Sequence, residues 1–119
     1  MIEFFLKRPE AFPLYEAVRA KICELPGVTV KVSKTQVSFS NRHGFAYVSL
    51  PHSRIKGHPA ACILVTFGLS YRLDDPRIYV ATEPYPMRWT HHVIVERVDE
   101  VDDQLMAWIR EAYHFSAAK

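Results

Sequence analysis

The chain has 119 residues, 49% of them apolar and 24% charged, with a formal net charge of +2. That length supports one domain with an ordinary core, and that composition excludes a disordered chain. So small a charge, spread as interspersed positive and negative residues, gives no basic stripe, and a nucleic-acid partner is not expected.

No apolar stretch approaches the ~20 residues of a membrane-spanning helix. Met1-Ile2-Glu3-Phe4-Phe5-Leu6 carries an early acid and is not expected to be a signal peptide. Two separated cysteines, Cys23 and Cys62, are expected as reduced thiols in a cytoplasmic protein. Cys62 lies in an apolar run and is expected to be buried.

Arg8-Pro9-Glu10-Ala11-Phe12-Pro13 opens a helix, since proline is tolerated in a first turn. Ala11, Leu14, Tyr15, Val18, Ile22 and Leu25 then share one stripe. Pro26-Gly27 stops it. Period two follows: Val28, Val30 and Val32, then Thr35, Val37 and Phe39, two runs close enough to form a hairpin. Asn41-Arg42-His43-Gly44 is a second turn. Residues 45–50 and 61–67 read as central strands, apolar on nearly both faces, around a polar loop at 51–59. Residues 68–89 read as a long loop with Pro76, Pro84 and Pro86, in which Ile78-Tyr79-Val80 makes a short edge strand. Residues 90–98 give a fifth strong strand, besides that short edge strand. Residues 100–115 give a closing helix, with Val101, Leu105, Trp108, Ala112 and Phe115 as its stripe. The expected fold is therefore α+β: one antiparallel sheet of about five strands, with N-terminal and C-terminal helices packed on one face.

No catalytic motif stands in the sequence. It has no Gly-x-Ser-x-Gly elbow, phosphate-binding glycine loop, His-Glu-x-x-His or Cys-x-x-Cys, so no catalytic residue, metal or cofactor is expected. His91 and His92 are adjacent on a strand and face opposite ways, so they cannot chelate one metal unless the strand bulges there. The set that could hold a ligand is cationic and aromatic: Lys34, Arg77, Tyr85, Arg88, Trp89 and His91, with Thr35 on the hairpin. Arginine grips carboxylate or phosphate through a planar fork, and tryptophan and tyrosine offer flat surfaces. Against this stands an ordinary role, with Trp89 and Tyr85 pinning the loop and the arginines pairing with Asp74, Asp75 or Glu83. Arg42, His43, His52, Arg54, Lys56 and His58 form a second basic region that reads as solvated loops.

Several stretches carry a family resemblance: Leu14-Tyr15-Glu16, Lys34-Thr35-Gln36-Val37-Ser38-Phe39, Phe45-Ala46 and Arg77. Tyr85-Pro86-Met87-Arg88-Trp89-Thr90-His91-His92-Val93, Asp102-Asp103-Gln104-Leu105 and Trp108-Ile109-Arg110-Glu111-Ala112-Tyr113 continue it. Together they resemble a bacterial family known as domain of unknown function 5655, over nearly the whole of residues 1–119. The helix–sheet–helix order is also similar to small bacterial domains of the YdhG and MmcQ/YjbR type. The resemblance implies a single domain and no particular activity. Three functions are expected in turn. The first is a module for a small anionic ligand, held between the sheet and residues 75–90. The second is a homodimeric interaction domain using the open sheet face or the edge at Ile78-Tyr79-Val80. The third is an enzyme working through His91 or His92.

Overall fold

Period-two alternation builds six strands. The computed structural model describes Phe5, residues 8–51 and residues 62–118. The strands are β1 (Thr29–Val32), β2 (Gln36–Ser40), β3 (Gly44–Ser49), β4 (Ile63–Leu69), β5 (Ile78–Tyr85) and β6 (Arg88–Val95). They form one antiparallel sheet in the order β1-β2-β3-β4-β6-β5. Helix α1 spans Phe12–Ile22 and helix α2 spans Asp103–Ala117. The fold is thus α+β on an antiparallel sheet.

The sheet has one strand more than the sequence suggested. The segment taken as a long loop holds a full hairpin: β5 runs through Pro84, and a two-residue turn at Pro86-Met87 leads into β6. Periodicity shows only the start of β5, the edge strand expected at Ile78-Tyr79-Val80, because the strand is exposed and has two register shifts, so its apolar residues do not alternate. Pro84 fits there because an edge strand need not offer every N–H to a neighbour.

Alternation in the inner strands decides the core. Val37, Phe39, Ala46, Val48, Ile63, Val65, Phe67, Leu69, His91, Val93 and Val95 are all buried. Cross-strand register makes rows of them: Val37–Val48–Val65–Val93 and Phe39–Ala46–Phe67–His91. Helix α2 lies against β3 and β4 and adds Leu105, Met106, Ile109 and Ala112 to the same cluster. Its apolar i, i+4, i+7 spacing is what presents that face. Trp108, placed in the expected stripe, flanks it and stacks on Phe67 at 6.0 Å between centroids. Helix α1 packs beside α2 and buries Leu14, Tyr15, Val18 and Ile22. Gly27, at φ +72°, turns the chain from α1 into the sheet.

A β-bulge shapes the start of β3. The register slips between Phe39 and Ser40, and two successive residues, Phe45 and Ala46, are both buried. Phe45 packs edge-on against Tyr113 of α2. The extra residue turns Phe45 inward, which explains why the sequence reads this strand as apolar on both faces.

The connection at residues 70–77 is tied down along its length. Tyr71 donates to the Glu111 carboxylate of α2 at 2.7 and 2.8 Å, which pushes its phenol up to about 12. The Leu73 backbone N–H donates to His91 Nε2 at 2.9 Å. Arg77 closes the segment on Asp102 at 2.9 Å.

Candidate functional site

The bulge and one glycine together open a space at the end of the sheet. On the outer face, the row Tyr47–Thr66–His92–Val80 is continuous across β3, β4, β6 and β5. The next row holds Gly68, Thr90 and Thr82. Phe45 would have stood beside Gly68, but the bulge has turned it inward, and Gly68 has no side chain. The gap is a cavity of about 260 Å³ lined by Gly44, Tyr47, Thr66, Gly68, Thr90 and the β5–β6 hairpin residues Pro84, Tyr85, Arg88 and Trp89. Phe115 of α2 closes another side. A Cβ on Gly44 would overlap Tyr47 Oη, so glycine there lets the phenol swing across the mouth.

The lining has one charge. Arg88 is its sole ionisable cation or acid among the described residues. Its guanidinium lies 5.8 Å from the centre of the Phe115 ring, with no carboxylate in ion-pair range among those residues. Tyr47, Thr66, Tyr85 and Thr90 bring hydroxyls, and Trp89, Tyr85 and Phe115 bring rings. Such a lining can hold an anion through the guanidinium fork and a flat apolar body against the rings.

The residues predicted from sequence divide into two groups. Tyr85, Arg88 and Trp89 meet at the cavity. Arg77, Lys34 and His91 stand elsewhere. Register puts Lys34, at the β1–β2 turn, on the corner of the sheet diagonally opposite Tyr85 and Arg88. Arg77 lies at the far end of β5. Its guanidinium donates to both Asp102 oxygens at 2.9 and 3.1 Å, to Gln104 Oε1 at 3.0 Å and to the Glu100 carbonyl at 2.8 Å. It also stacks 5.8 Å from the Trp108 ring. Arg77 and Arg88 therefore do not converge. Nor does Arg77 pair through its side chain with Asp74, Asp75 or Glu83; its backbone N–H bonds Asp75 instead.

The two histidines face opposite ways, as neighbours on a strand must. His91 is fully buried, stacked on Phe67 at 5.3 Å. Its Nε2 accepts from Leu73, and its Nδ1 has no hydrogen-bond partner of good geometry among the described residues. Burial holds it below the ordinary imidazole value, with the Phe67 backbone opposing only in part. His92 is half-buried on the outer face, and its Nδ1 shares a 2.9 Å hydrogen bond with Thr66 Oγ1. Burial lowers His92 as well.

Sequence reasoning missed Tyr47, Thr66, Thr90 and the two glycines of this site. The available signal was Gly68 inside a strong strand pattern, a usual mark of a bulge or a close approach. In the second basic region, Arg42 and His43 are exposed on the β2–β3 turn; His52, Arg54, Lys56 and His58 lie outside the described residues. Cys62 is buried and Cys23 exposed, both as free thiols. No helix among the described residues is long and apolar enough to cross a membrane, and those residues hold no cluster of metal-ligating side chains.

Neither the curated proteins nor the solved structures contain a match to this chain. A family model does match, across residues 1–116, and its description is a domain of unknown function, DUF5655. With nearly its whole length covered by that model, the chain belongs to the DUF5655 family.

Proposed function

We propose that this domain is a binding module for a small anion bearing a flat ring, seated in the cavity at the β5–β6 hairpin. One observation carries the reading: a cavity of about 260 Å³ whose lining holds a single charge, the Arg88 guanidinium, and no acid among the described residues. One cation matches a monoanion such as a carboxylate better than a doubly charged phosphate. The volume lies just under the usual range for ligand sites, which restricts the occupant to a small molecule. Trp89, Tyr85 and Phe115 supply flat apolar surfaces for its body. Lys34, Arg77 and His91 take no part in it.

The test is a thermal-shift titration with benzoate on wild type and Arg88→Ala. A ligand that binds only the folded state raises its Tm, and the rise should vanish in the variant. An unchanged wild-type Tm at high millimolar benzoate, or an equal rise in both proteins, refutes the reading.

A second reading rests on a separate observation. Tyr79 and Val80 are 50% and 39% exposed on the edge strand β5, which leaves apolar side chains beside backbone groups that no strand among the described residues pairs. Self-association through that edge would give a homodimer, and Val80→Lys would dissolve it in sedimentation velocity. A wild-type monomer at high concentration excludes it.

A further inference from the structure

We propose that His92, acting through Thr66, couples anion binding in this cavity to the uptake of one proton, an inference that rests on the anion-binding reading above. Thr66 lines the cavity, and its Oγ1 is 2.9 Å from His92 Nδ1. The imidazole itself stands behind the lining, one side chain back.

A threonine hydroxyl has one hydrogen to give. When the neutral ring accepts at Nδ1, that hydrogen is spent on the imidazole and Oγ1 turns lone pairs toward the cavity, where they repel an anion. The neutral ring can also take the other tautomer, with Nδ1–H donating. The imidazolium has no such choice, because both ring nitrogens donate. Protonation therefore fixes Nδ1–H on Thr66 Oγ1 and frees the hydroxyl hydrogen to point at the ligand. It also sets a positive charge behind the lining, one hydrogen bond from Thr66.

The surroundings suit a linked proton. Thr66 and Leu64 of β4, Val80 and Thr82 of β5, and Thr90 and Ile94 of β6 surround the ring on its face, and Tyr47 of β3 stands beyond Thr66. None of these is charged at neutral pH. The charged residues of its own strand and the adjoining turn, Arg88 and Glu96, are each four positions away, and His91 faces the core. Burial alone acts on the empty-site imidazole and disfavours its charged form. An arriving anion supplies the partner charge that burial withholds, and linkage then requires that acid strengthen anion binding.

His92 is thus a positioning residue, and its test needs readouts that a structural role would not move. Benzoate is titrated against the wild-type chain at pH 5.5 and 8.0, with imidazole and amide NMR shifts as the signal. The expected result is binding at least about fivefold tighter at pH 5.5, the low end of typical coupling between sites. The His92 ring should also titrate at higher pH with benzoate than without. His92→Gln, which keeps a hydrogen-bonding side chain, should bind with an affinity independent of pH. The wild-type ring titration decides the matter even if that variant misfolds. Arg88-dependent binding that is constant with pH, or a pH dependence kept by His92→Gln, overturns the coupling and spares the anion site. Absence of benzoate binding at both pH values overturns the two together.

Discussion

Asp102 holds Arg77 and starts helix α2 with the same oxygen: its Oδ1 accepts the Arg77 guanidinium at 2.9 Å and the Leu105 backbone N–H at 3.0 Å. The end of the β4–β5 connection is thereby fixed to the N-terminus of the helix that covers the sheet. Burial alone would raise the Asp102 carboxyl, but the Leu105 N–H and Arg77 together hold it below the ordinary value. Asp102→Ala removes both partners and should lower unfolding stability by about 1–2 kcal/mol, a lost cap of about 1 plus a partly exposed ion pair of up to about 1. Asp102→Asn keeps the cap and should recover part of that. Because the folded-state value is depressed, the contribution is present above the unfolded value of about 3.9 and fades as pH falls through the folded one. Urea unfolding of the three proteins at pH 7 and pH 3 checks this; an Asp102→Ala variant as stable as wild type at pH 7 refutes it.

Local patterns revealed much of this fold and little of its site. The stripe Leu14, Tyr15, Val18 and Ile22 and the alternation Val37–Phe39 and Val93–Val95 each bury a set of side chains by period alone, so helices and inner strands can be read directly. Strand β5 could be read only at Ile78-Tyr79-Val80, because its position at the edge leaves Tyr79, Val80 and Tyr85 exposed and removes the period. The cavity depends on a register slip between Phe39 and Ser40, which only pairing with β3 creates. Arg77 and Arg88 look alike in sequence. Asp102, 25 residues away from Arg77, is what takes one of them out of the site.

His91 makes the core sensitive to acid. Its Nε2 must stay unprotonated to accept from Leu73, and burial holds the ring below its ordinary value. The unfolded chain takes up the proton first, near pH 6.5, so the fold loses stability as pH falls below that and levels out beneath the folded-state value. His92, lowered by burial, adds a loss of the same sign. His91→Phe strands the Leu73 N–H and should cost about 1–3 kcal/mol at pH 7.5. It should also flatten the decline between pH 7.5 and 5.5. Denaturant unfolding at those pH values measures both; a decline as steep in His91→Phe as in wild type contradicts the assignment.

The β5–β6 turn carries backbone strain at Met87. Its φ is +64°, in a two-residue turn that begins with Pro86. Proline followed by a residue of positive φ is the pattern of a type II turn, where glycine is the usual second residue. The Met87 side chain is 68% exposed and contributes little packing. Met87→Gly should therefore be stabilising by up to about 1 kcal/mol, the relieved strain being offset in part by the freer unfolded chain. Met87→Val, branched at Cβ, should destabilise by about 1–2 kcal/mol. Thermal unfolding orders the three proteins, and Met87→Val equal to Met87→Gly argues against strain at this position.

Gly68 offers a way to separate the cavity from the fold. A Cβ there would have the Trp89 carbonyl oxygen 3.8 Å away, an ordinary van der Waals contact, and the φ is not one that only glycine adopts. Gly68→Ala should fold as well as wild type, or better by about 0.5–1 kcal/mol, because alanine loses less backbone freedom within a strand. Its methyl group would stand at the cavity lining, in the row of Thr90 and next to the row of Thr66. Anion affinity should then fall while stability holds or rises, a pairing that general damage to the structure cannot produce. Gly44→Ala makes the complementary case: its Cβ displaces the Tyr47 phenol, so affinity and stability should both drop. Benzoate titration and thermal unfolding of both variants read the two quantities separately. Unchanged affinity in Gly68→Ala would place the anion somewhere other than this cavity.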